Sequence, residues 1–370
     1  MKNVVKRLLS SAGIEINGSN PWDIQVLDDR FYSRVMADQS LGIGESYMDG
    51  WWECERIDEM MTRICKINLD QELNPSFREI CTSFLNRLFN HQSVERSKEV
   101  ASRHYNIGNS LYQHMLGNSM NYSCGYWKGV DDLDSAQRNK MELICRKLGL
   151  KPGLKLLDIG CGWGALAKYA ASNFGVEVVG TTISKPQMEY AEEICRGLPV
   201  TNLNKDYRHL QTEKFDRIVS VGMFEHVGYK NYPEFMQVVH RLLSDEGIFL
   251  LHTIGANVTS HFGDAWITKY IFPNGMLPSI VQISQAFEGL FVMEDWHNFG
   301  VYYDKTLMSW HQRFNESWDA LKDQYDDRFR RMWNYYLLSC AGGFRARRLQ
   351  LWQIVLTKHG LEHGFQQRDL

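Results

Sequence analysis

The sequence predicts an α/β fold in which a parallel sheet carries helices on both faces, preceded by a smaller, mainly helical N-terminal domain. From about residue 135, short runs rich in β-branched residues alternate with amphipathic segments, a pattern typical of βαβ units. A glycine-rich turn, "DIGCGWG", joins the first of these strands to its helix. The first 90 or so residues lack this alternation.

The elements of the sheet domain follow one another along the chain. An amphipathic helix, "SAQRNKMELICRKLGL", ends at Lys-Pro-Gly, which stops a helix. The predicted strands are "LKLLDIG", "VEVVGTTIS", "VTNLNKDYRHL", "FDRIVSVGMFEHVG" and "IFLLHTIG". The predicted helices between them are "ALAKYAASNFG", "PQMEYAEEICRGL" and "YPEFMQVVHRLLSDEG". Pro186 suits the first turn of the second of these helices. Strands that alternate with helices indicate a parallel sheet covered on both faces.

We expect two domains, 1–90 and 91–370. The first is helical, with an irregular centre at "SLGIGESYMDGWWECERID" and a packed turn at Trp51 and Trp52. An aromatic-rich insertion at about 255–330 interrupts the alternation and is expected to cover the site.

Composition excludes several classes of protein. With 44% hydrophobic and 23% charged residues, the chain is globular rather than disordered. A net charge of −3 argues against a nucleic-acid partner. None of the eight cysteines forms a C-x-x-C pair, so we expect a reduced, cytosolic protein without disulfides or a metal site. No apolar run approaches the roughly 18 residues of a membrane span, so the protein is expected to be soluble or to rest on a membrane surface.

The glycine turn favours a methyl donor over a nicotinamide. Gly160, Gly162 and Gly164 follow a strand and precede a helix, where backbone can approach a ligand and N–H groups are free. A tight turn without a ligand would have the same pattern. A nicotinamide site needs an acid about 20 residues further on, but that position reads "GTTIS". Asp158 suits the methionine end of S-adenosylmethionine, and Asp206 suits its adenine edge or is a turn residue.

Two ionisable residues end the fourth predicted strand. "IVSVGMFEHVG" places Glu225 and His226 where a buried strand should stop, and burial there is costly unless the groups are needed. The alternative is that they cap a helix beginning at Val227. His226 is interpreted as structural.

The motifs together resemble one family. The glycine turn, "NYSCGYW", "GMFEHVG", "LLHTIG" and "HNFGVYYD" occur in the order found in cyclopropane fatty acid synthases, with the mycolic acid cyclopropane synthases as more distant relatives. The resemblance covers nearly the whole chain, and "LGIGESYMDGWWECERID" is similar to the N-terminal domain of the phospholipid enzymes. It implies a Rossmann-like, S-adenosylmethionine-dependent methyltransferase. Asn106 and Ser110 depart from the acids common in the family.

The resemblance also implies the site residues. The S-adenosylmethionine pocket would contain Tyr122, Ser123, Asp158, Gly160, Gly162, Gly164, Thr182, Gln187, Asp206 and Tyr207. A catalytic pocket for bicarbonate would contain Cys124, Glu225, His252, Ile254 and Tyr303, in which His252, Tyr303 and the N–H groups near Ile254 and Cys124 donate to the ion and Glu225 orients it. The insertion at about 255–330 would bind an acyl chain, and the acyl channel would contain Tyr105, Tyr270 and Phe272. Without the resemblance, His252 would be interpreted as a core histidine, Cys124 as a small apolar residue and Tyr303 as a packing residue.

The expected reaction is cyclopropanation of cis-unsaturated acyl chains in membrane phospholipids, with bicarbonate as base. The alternatives are a related methyltransferase acting on another lipid or small molecule, a nicotinamide-dependent oxidoreductase, and an inactive lipid-binding or scaffold protein. We expect a homodimer in the cytoplasm that docks reversibly on the anionic inner face of the membrane. Candidate docking elements are "ERSK" and "FRARR", with Trp51, Trp52, Arg345, Arg347 and Arg348; the arginines could instead form internal ion pairs.

Overall fold

The computed structural model describes residues 1–67, 108–211 and 214–366. The helices are α1 (Lys2–Ser11), α2 (Arg30–Met48), α3 (Ile57–Lys66), α4 (Asn109–Leu116), α5 (Leu133–Lys147), α6 (Ala165–Phe174), α7 (Lys185–Ile194), α8 (Tyr232–Leu242), α9 (Ala265–Tyr270), α10 (Ile280–Phe287), α11 (Val301–Glu316), α12 (Trp318–Leu321) and α13 (Asp327–Arg345). The strands are β1 (Gln25–Val26), β2 (Trp52–Glu53), β3 (Lys155–Ile159), β4 (Glu177–Thr182), β5 (Val200–Asn204), β6 (Phe215–Val221), β7 (Leu243–Ala256), β8 (Val292–Asn298) and β9 (Leu349–Thr357).

The chain divides into two compact units. The described residues of the first are 1–67, 262–273 and 303–349, and those of the second are 108–211, 214–261, 274–302 and 350–366. The first unit is therefore discontinuous in sequence. The predicted boundary near residue 90 lies outside the described residues, and the two-domain division with its insertion at 255–330 stays a prediction.

A seven-stranded sheet forms the centre of the second unit, in the order β5-β4-β3-β6-β7-β9-β8. The pairs β5–β4, β4–β3, β3–β6 and β6–β7 are parallel, and β9–β8 is antiparallel. Apolar clusters cover both faces, because successive residues of a strand point to opposite sides. Leu157 and Phe249 lie in one cluster, whereas their neighbours Leu156 and Leu250 lie in the other.

The predicted α/β fold class is confirmed, with two differences in the sheet. The five predicted strands are β3 to β7, but β7 begins at Leu243, where the end of a helix was predicted. The antiparallel strands β8 and β9 were not predicted. Alternation with helices identifies strands of βαβ units, and a closing antiparallel pair lacks that signal.

The described N-terminal part of the first unit is mainly helical, as predicted, but its centre is more regular than predicted. Residues 40–48 continue α2, after a break at Gln39 with φ of 49°. Gly44 allows close packing here, since a Cβ at this position would lie 2.3 Å from the Trp266 ring. The glycines of "SLGIG" are therefore close-contact positions within a helix rather than signs of a loop.

The structure argues against two of the predicted membrane contacts. Trp52 is fully buried and packs edge-on against Phe31 and Tyr335. Arg345 donates to both oxygens of Asp304 at 2.8 and 2.9 Å and to Asp58 at 2.7 Å. The burial of Trp52 contradicts its prediction as a docking element, and for Arg345 the alternative of internal ion pairs holds in place of contact with lipid head groups. "ERSK" lies outside the described residues.

Candidate active site at the carboxyl edge of the sheet

The candidate residues of the second unit collect at one edge of its sheet. The glycine turn follows β3, Gln187 lies just after β4, Asp206 follows β5, and Glu225 follows β6. All four strands are parallel, so their carboxyl ends meet at the same edge. This edge is where open α/β sheets bind their ligands.

The three glycines of the turn have different roles. All have positive φ, at 85°, 54° and 82° for Gly160, Gly162 and Gly164. A Cβ would lie 2.8 Å from Met223 at the first position and 2.8 Å from Ala191 at the last, so these two glycines are needed for packing. A Cβ at Gly162 would meet no atom within 4 Å among the described residues. The side of Gly162 therefore faces open space, which fits the close approach of a ligand to the backbone.

Asp158 lies beneath this turn, on β3, and is 2% exposed. Burial raises the pKa of its carboxyl to about 7, and the Lys140 ammonium opposes that rise. A buried carboxylate with a nearby cation can hold the ammonium group of an amino acid ligand. The side chain is therefore suited to the methionine end of S-adenosylmethionine.

The positions after β4 and β5 are polar and mostly hydrogen-bonded. Thr182 Oγ1 donates to Gln187 Oε1 at 3.0 Å, and both side chains are buried. Asp206 accepts two hydrogen bonds from the Arg208 guanidinium at 2.9 and 2.7 Å, and these lower the pKa of its carboxyl against the effect of burial. The lowered pKa favours the carboxylate form of Asp206, which can accept hydrogen bonds.

Glu225 lies in a short 3-10 helix, Phe224–His226, and is 7% exposed. Its Oε1 accepts the Ile254 N–H at 2.7 Å, whereas its Oε2 is buried and has no hydrogen-bond partner among the described residues. Burial raises the pKa of this carboxyl to about 7, and that rise is opposed by the Ile254 N–H, by the backbone N–H of Glu225 itself and by the Thr253 hydroxyl. Glu225 is therefore held at one oxygen and open at the other, with its proton exchanging near neutral pH.

His252 lies on β7, paired in register with Val221 at the end of β6. Its Nδ1 lies 3.3 Å from Gln353 Nε2. With the amide nitrogen as donor, the imidazole proton lies on Nε2, which is buried and has no partner among the described residues. Burial, together with Lys140 and Lys147, keeps the pKa of His252 well below its ordinary value. The ring is a neutral donor.

The segment 121–124 is held by one face of α5. Tyr122 packs against Tyr112, which in turn packs against Trp163 of the glycine turn, at centroid distances of 5.3 and 4.9 Å. Ser123 accepts from Lys140 Nζ at 2.7 Å. Cys124 is buried, and its Sγ lies 3.2 Å from the Gly125 carbonyl oxygen.

Three further predicted positions are Ile254, Tyr303 and His226, the last of which was interpreted as structural. The Ile254 N–H, predicted to bind the ion, donates to Glu225 instead, so Ile254 positions the carboxylate. Tyr303 belongs to the first unit, where it stacks on Phe344 at 4.4 Å, and its role at the ion stays a prediction. His226 is buried, which lowers the pKa of its ring to about 4.

The predicted channel residues remain untested. Tyr105 lies outside the described residues. Tyr270 and Phe272 belong to the first unit, where the Tyr270 hydroxyl donates to Glu45 at 2.7 Å and the Phe272 ring contacts Tyr336.

Sequence reasoning missed two contacts of this site, Lys140 with Ser123 and Gln353 with His252. Lys140 had a usable signal, since it lies four residues from both Ala136 and Ile144 on the apolar face of an amphipathic helix. A lysine there needs a buried acceptor. Gln353 had none, because it lies in a strand that had not been predicted.

Comparisons with known proteins agree with this geometry. The family model for mycolic acid cyclopropane synthetase matches residues 92–354. The chain is 55% identical over 361 residues to cyclopropane-fatty-acyl-phospholipid synthase of Escherichia coli K12, covering 98% of this chain and 94% of that protein. A probable fatty acid methyltransferase of Pseudomonas putida is 34% identical, over 79% of this chain and 80% of its own length.

Solved structures show the same relation. The cyclopropane synthase MmaA2 from Mycobacterium tuberculosis superposes with a TM-score of 0.67 at 29% identity, covering 70% of this chain and 98% of its own. The mycolic acid cyclopropane synthase CmaA1, bound to S-adenosylhomocysteine, gives 0.66 at 30% identity, covering 70% and 98%. The fold and its glycine turn define a class, the S-adenosylmethionine-dependent methyltransferases. Within that class, the chain belongs to the mycolic acid cyclopropane synthetase family. The resemblance inferred from the sequence is confirmed.

Proposed function

We propose that the protein transfers a methylene from S-adenosylmethionine to the cis double bond of an acyl chain in a membrane phospholipid and closes a cyclopropane ring. The observation that carries this proposal is the pairing of two open groups at the carboxyl edge. Glu225 has an acceptor, Oε2, and neighbouring β7 carries a donor, His252 Nε2, neither with a partner among the described residues. The identity to a phospholipid cyclopropane synthase supports the choice of substrate.

The chemistry explains why such groups are needed. The alkene π electrons form a bond to the sulfonium methyl, and the S–CH₃ bond pair leaves on sulfur. A cation remains on the acyl chain, and loss of a proton from the new methyl lets its C–H pair close the ring. A base must therefore be within hydrogen-bond reach of that methyl in a site that excludes water.

Bicarbonate, when bound, would supply that base and an anion to stabilise the cation. The residues present fit such an ion, because Glu225 Oε2 can accept its hydroxyl hydrogen bond and His252 Nε2–H can donate to one of its oxygens. Ionisation near pH 7 also lets Glu225 receive the proton afterwards, since a carboxyl with that pKa exchanges protons readily at neutral pH. Neutral His252 adds a hydrogen bond without adding a cation beside the sulfonium.

An incubation tests the proposal. Labelled S-adenosylmethionine and vesicles of unsaturated phospholipid are mixed with the protein, and the fatty acids are then analysed by mass. A gain of one CH₂ with loss of the alkene supports cyclopropanation. A methylated chain that retains an alkene supports instead the methyltransferase alternative, which the Pseudomonas putida relative favours.

We further propose that the protein docks reversibly on the bilayer through an aliphatic surface formed by Val258, Ile280 and Val281. These side chains are 56%, 51% and 53% exposed. They lie within residues 247–261 and 274–287, which contain no Asp, Glu, Lys or Arg. Charged groups are costly in hydrocarbon, so an uncharged aliphatic surface suits contact with lipid.

The aliphatic surface continues directly into the site. Its two segments both contact Glu225, since the Ile254 N–H reaches the carboxylate and the Met276 N–H donates to the Glu225 carbonyl at 2.9 Å. Three further hydrogen bonds join the two segments: Ala256 N to Pro278 O, Thr259 Oγ1 with Ser279 Oγ, and Gln282 Nε2 to Ser260 O. Val258 lies four positions after Ile254 in the chain, a span of at most about 14 Å. An acyl chain that leaves its bilayer here would have a short path to Glu225.

Aspartate substitutions test this surface. Ile280→Asp and Val281→Asp should reduce co-sedimentation with phosphatidylglycerol-containing vesicles and turnover on them, with donor binding unchanged. Val292→Asp, at a 43% exposed valine on β8, is the matched control and should bind normally. Equal binding by all three variants would exclude the surface. Increased binding with anionic lipid and decreased binding with salt would support contact with head groups.

Within the described part of the chain, no helix has the length and apolarity to cross a bilayer. We retain the cytoplasmic, peripheral location and the homodimer as proposals. Fractionation of cells at low and high salt tests the first, and light scattering of the purified protein tests the second.

A further inference from the structure

Helix α5 carries two polar side chains that the proposed reaction does not use. Gln137 and Lys140 are 0% and 1% exposed and lie three residues apart on the helix, so they share one face. Burial is costly for an ammonium group, and it lowers the pKa of Lys140 to about 7. An apolar residue would pack there at lower cost, so the lysine calls for a further explanation.

Both side chains hold the segment 121–124. Lys140 Nζ donates to Asn121 Oδ1 at 3.1 Å and to Ser123 Oγ at 2.7 Å. Gln137 Nε2 donates to the Ser123 carbonyl at 2.8 Å. These bonds fix the residues on either side of Tyr122, and with them the backbone that leads into Cys124.

The lysine also acts through its charge. Lys140 and Asp158 attract each other. The Asp158 carboxylate opposes the fall in the pKa of Lys140, and the Lys140 ammonium opposes the rise in the pKa of Asp158. An ammonium ligand needs Asp158 ionised, and the positive charge of Lys140 favours that state.

We propose that Lys140 is a positioning residue of the methyl-donor site. It fixes the segment 121–124 through Asn121 and Ser123, and it keeps Asp158 ionised for the amino group of the donor. This inference rests on the proposed placement of the donor against Tyr122, Ser123 and Asp158.

Calorimetric binding of S-adenosylhomocysteine tests the inference, because that ligand has the same amino acid end and needs neither lipid nor bicarbonate. In Lys140→Met the pKa of Asp158 should rise. We expect binding about tenfold weaker at neutral pH, and part of that loss recovered at about pH 8.5, since one pKa unit corresponds to a factor of ten. Lys140→Gln should show the same pH shift with a smaller loss at high pH, because an amide keeps one hydrogen bond.

Gln137→Leu is the control for the hydrogen bonds alone. It should weaken binding equally at every pH, because it removes no charge. If the Lys140→Met and Lys140→Gln profiles run parallel to that of Gln137→Leu, or if both lysine variants bind as the wild type does, the inference is overturned. Should Lys140→Met fail to fold, the pH midpoint of Lys140→Gln decides. If the wild-type protein bound S-adenosylhomocysteine but formed no cyclopropane, the proposed function would be wrong and the inference about Lys140 would stand.

Discussion

Replacing Glu225 by glutamine should make the protein more stable and almost inactive. Glu225 is 7% exposed, with one oxygen on the Ile254 N–H and the other without a partner among the described residues. Glutamine has the same shape and keeps an acceptor for that N–H, but it carries no charge. The substitution therefore separates the cost of a buried carboxylate from its chemical use.

The pKa of Glu225 gives the size of the effect. Burial raises it from 4.5 to about 7, whereas the unfolded chain should titrate near 4.5. Between these values the folded state keeps a proton that the unfolded state has released, so the wild type loses stability as pH rises. At about 1.4 kcal/mol per unit, the loss by pH 8 amounts to about 3 kcal/mol. The glutamine variant does not titrate and should avoid that loss.

Urea unfolding at about pH 4.5, 6 and 8 measures the difference. The variant should gain stability over the wild type as pH rises, up to about 3 kcal/mol at pH 8. Turnover of unsaturated vesicles should fall by about 10²-fold or more, as when a positioned acid–base group is lost, while S-adenosylhomocysteine binding stays near the wild-type value. Added bicarbonate is expected to restore part of the activity.

Glu234→Gln on α8 is the control, since Glu234 is exposed and its replacement should change stability by less than about 0.5 kcal/mol at any pH. If the unfolding free energy of Glu225→Gln changes with pH as that of the wild type does, the carboxylate is not buried in a site that excludes water. If it is fully active, Glu225 has no part in the reaction.

Two further predictions concern the glycine turn and the buried charges. Gly162→Val should abolish donor binding in a folded protein, because its side chain would project into the open space beside the turn, where we place the donor. Gly197→Val is the control, since Gly197 also has positive φ, at 83°, and a Cβ there would also meet no atom within 4 Å among the described residues; this variant should bind the donor normally in calorimetry. Equal binding by both variants would mean that the turn is only structural. Lys147→Met should cost about 3–5 kcal/mol in urea unfolding, since Lys147 and Asp295 are 0% and 1% exposed and 3.0 Å apart. The double variant with Asp295→Leu should recover most of that loss, and losses that simply add would show that the two side chains are not coupled.

Local sequence was enough to predict the parallel part of the fold. Hydrophobic period, glycine turns and proline at a helix start are properties of a few adjacent residues, and they located β3 to β7 with the helices between them. They also placed Gly162, Asp206 and Glu225 at strand ends, because a parallel sheet brings its carboxyl ends to one edge. The antiparallel β8 and β9 were missed for the same reason, since their pairing depends on residues far apart in the chain.

Only the tertiary structure decided what these residues contact. The Ile254 N–H could serve an ion or a carboxylate, and its 2.7 Å bond to Glu225 decides the matter. Arg345 could contact lipid head groups or carboxylates of its own chain, and its hydrogen bonds to Asp304 and Asp58 show the second. The sequence by itself determined which groups can donate, accept or carry charge, because those are properties of each side chain. The burial and the hydrogen-bond partners of a side chain depend on chain segments that folding brings together. Burial raises the pKa of Glu225 to about 7, and folding places Lys140 beside Ser123.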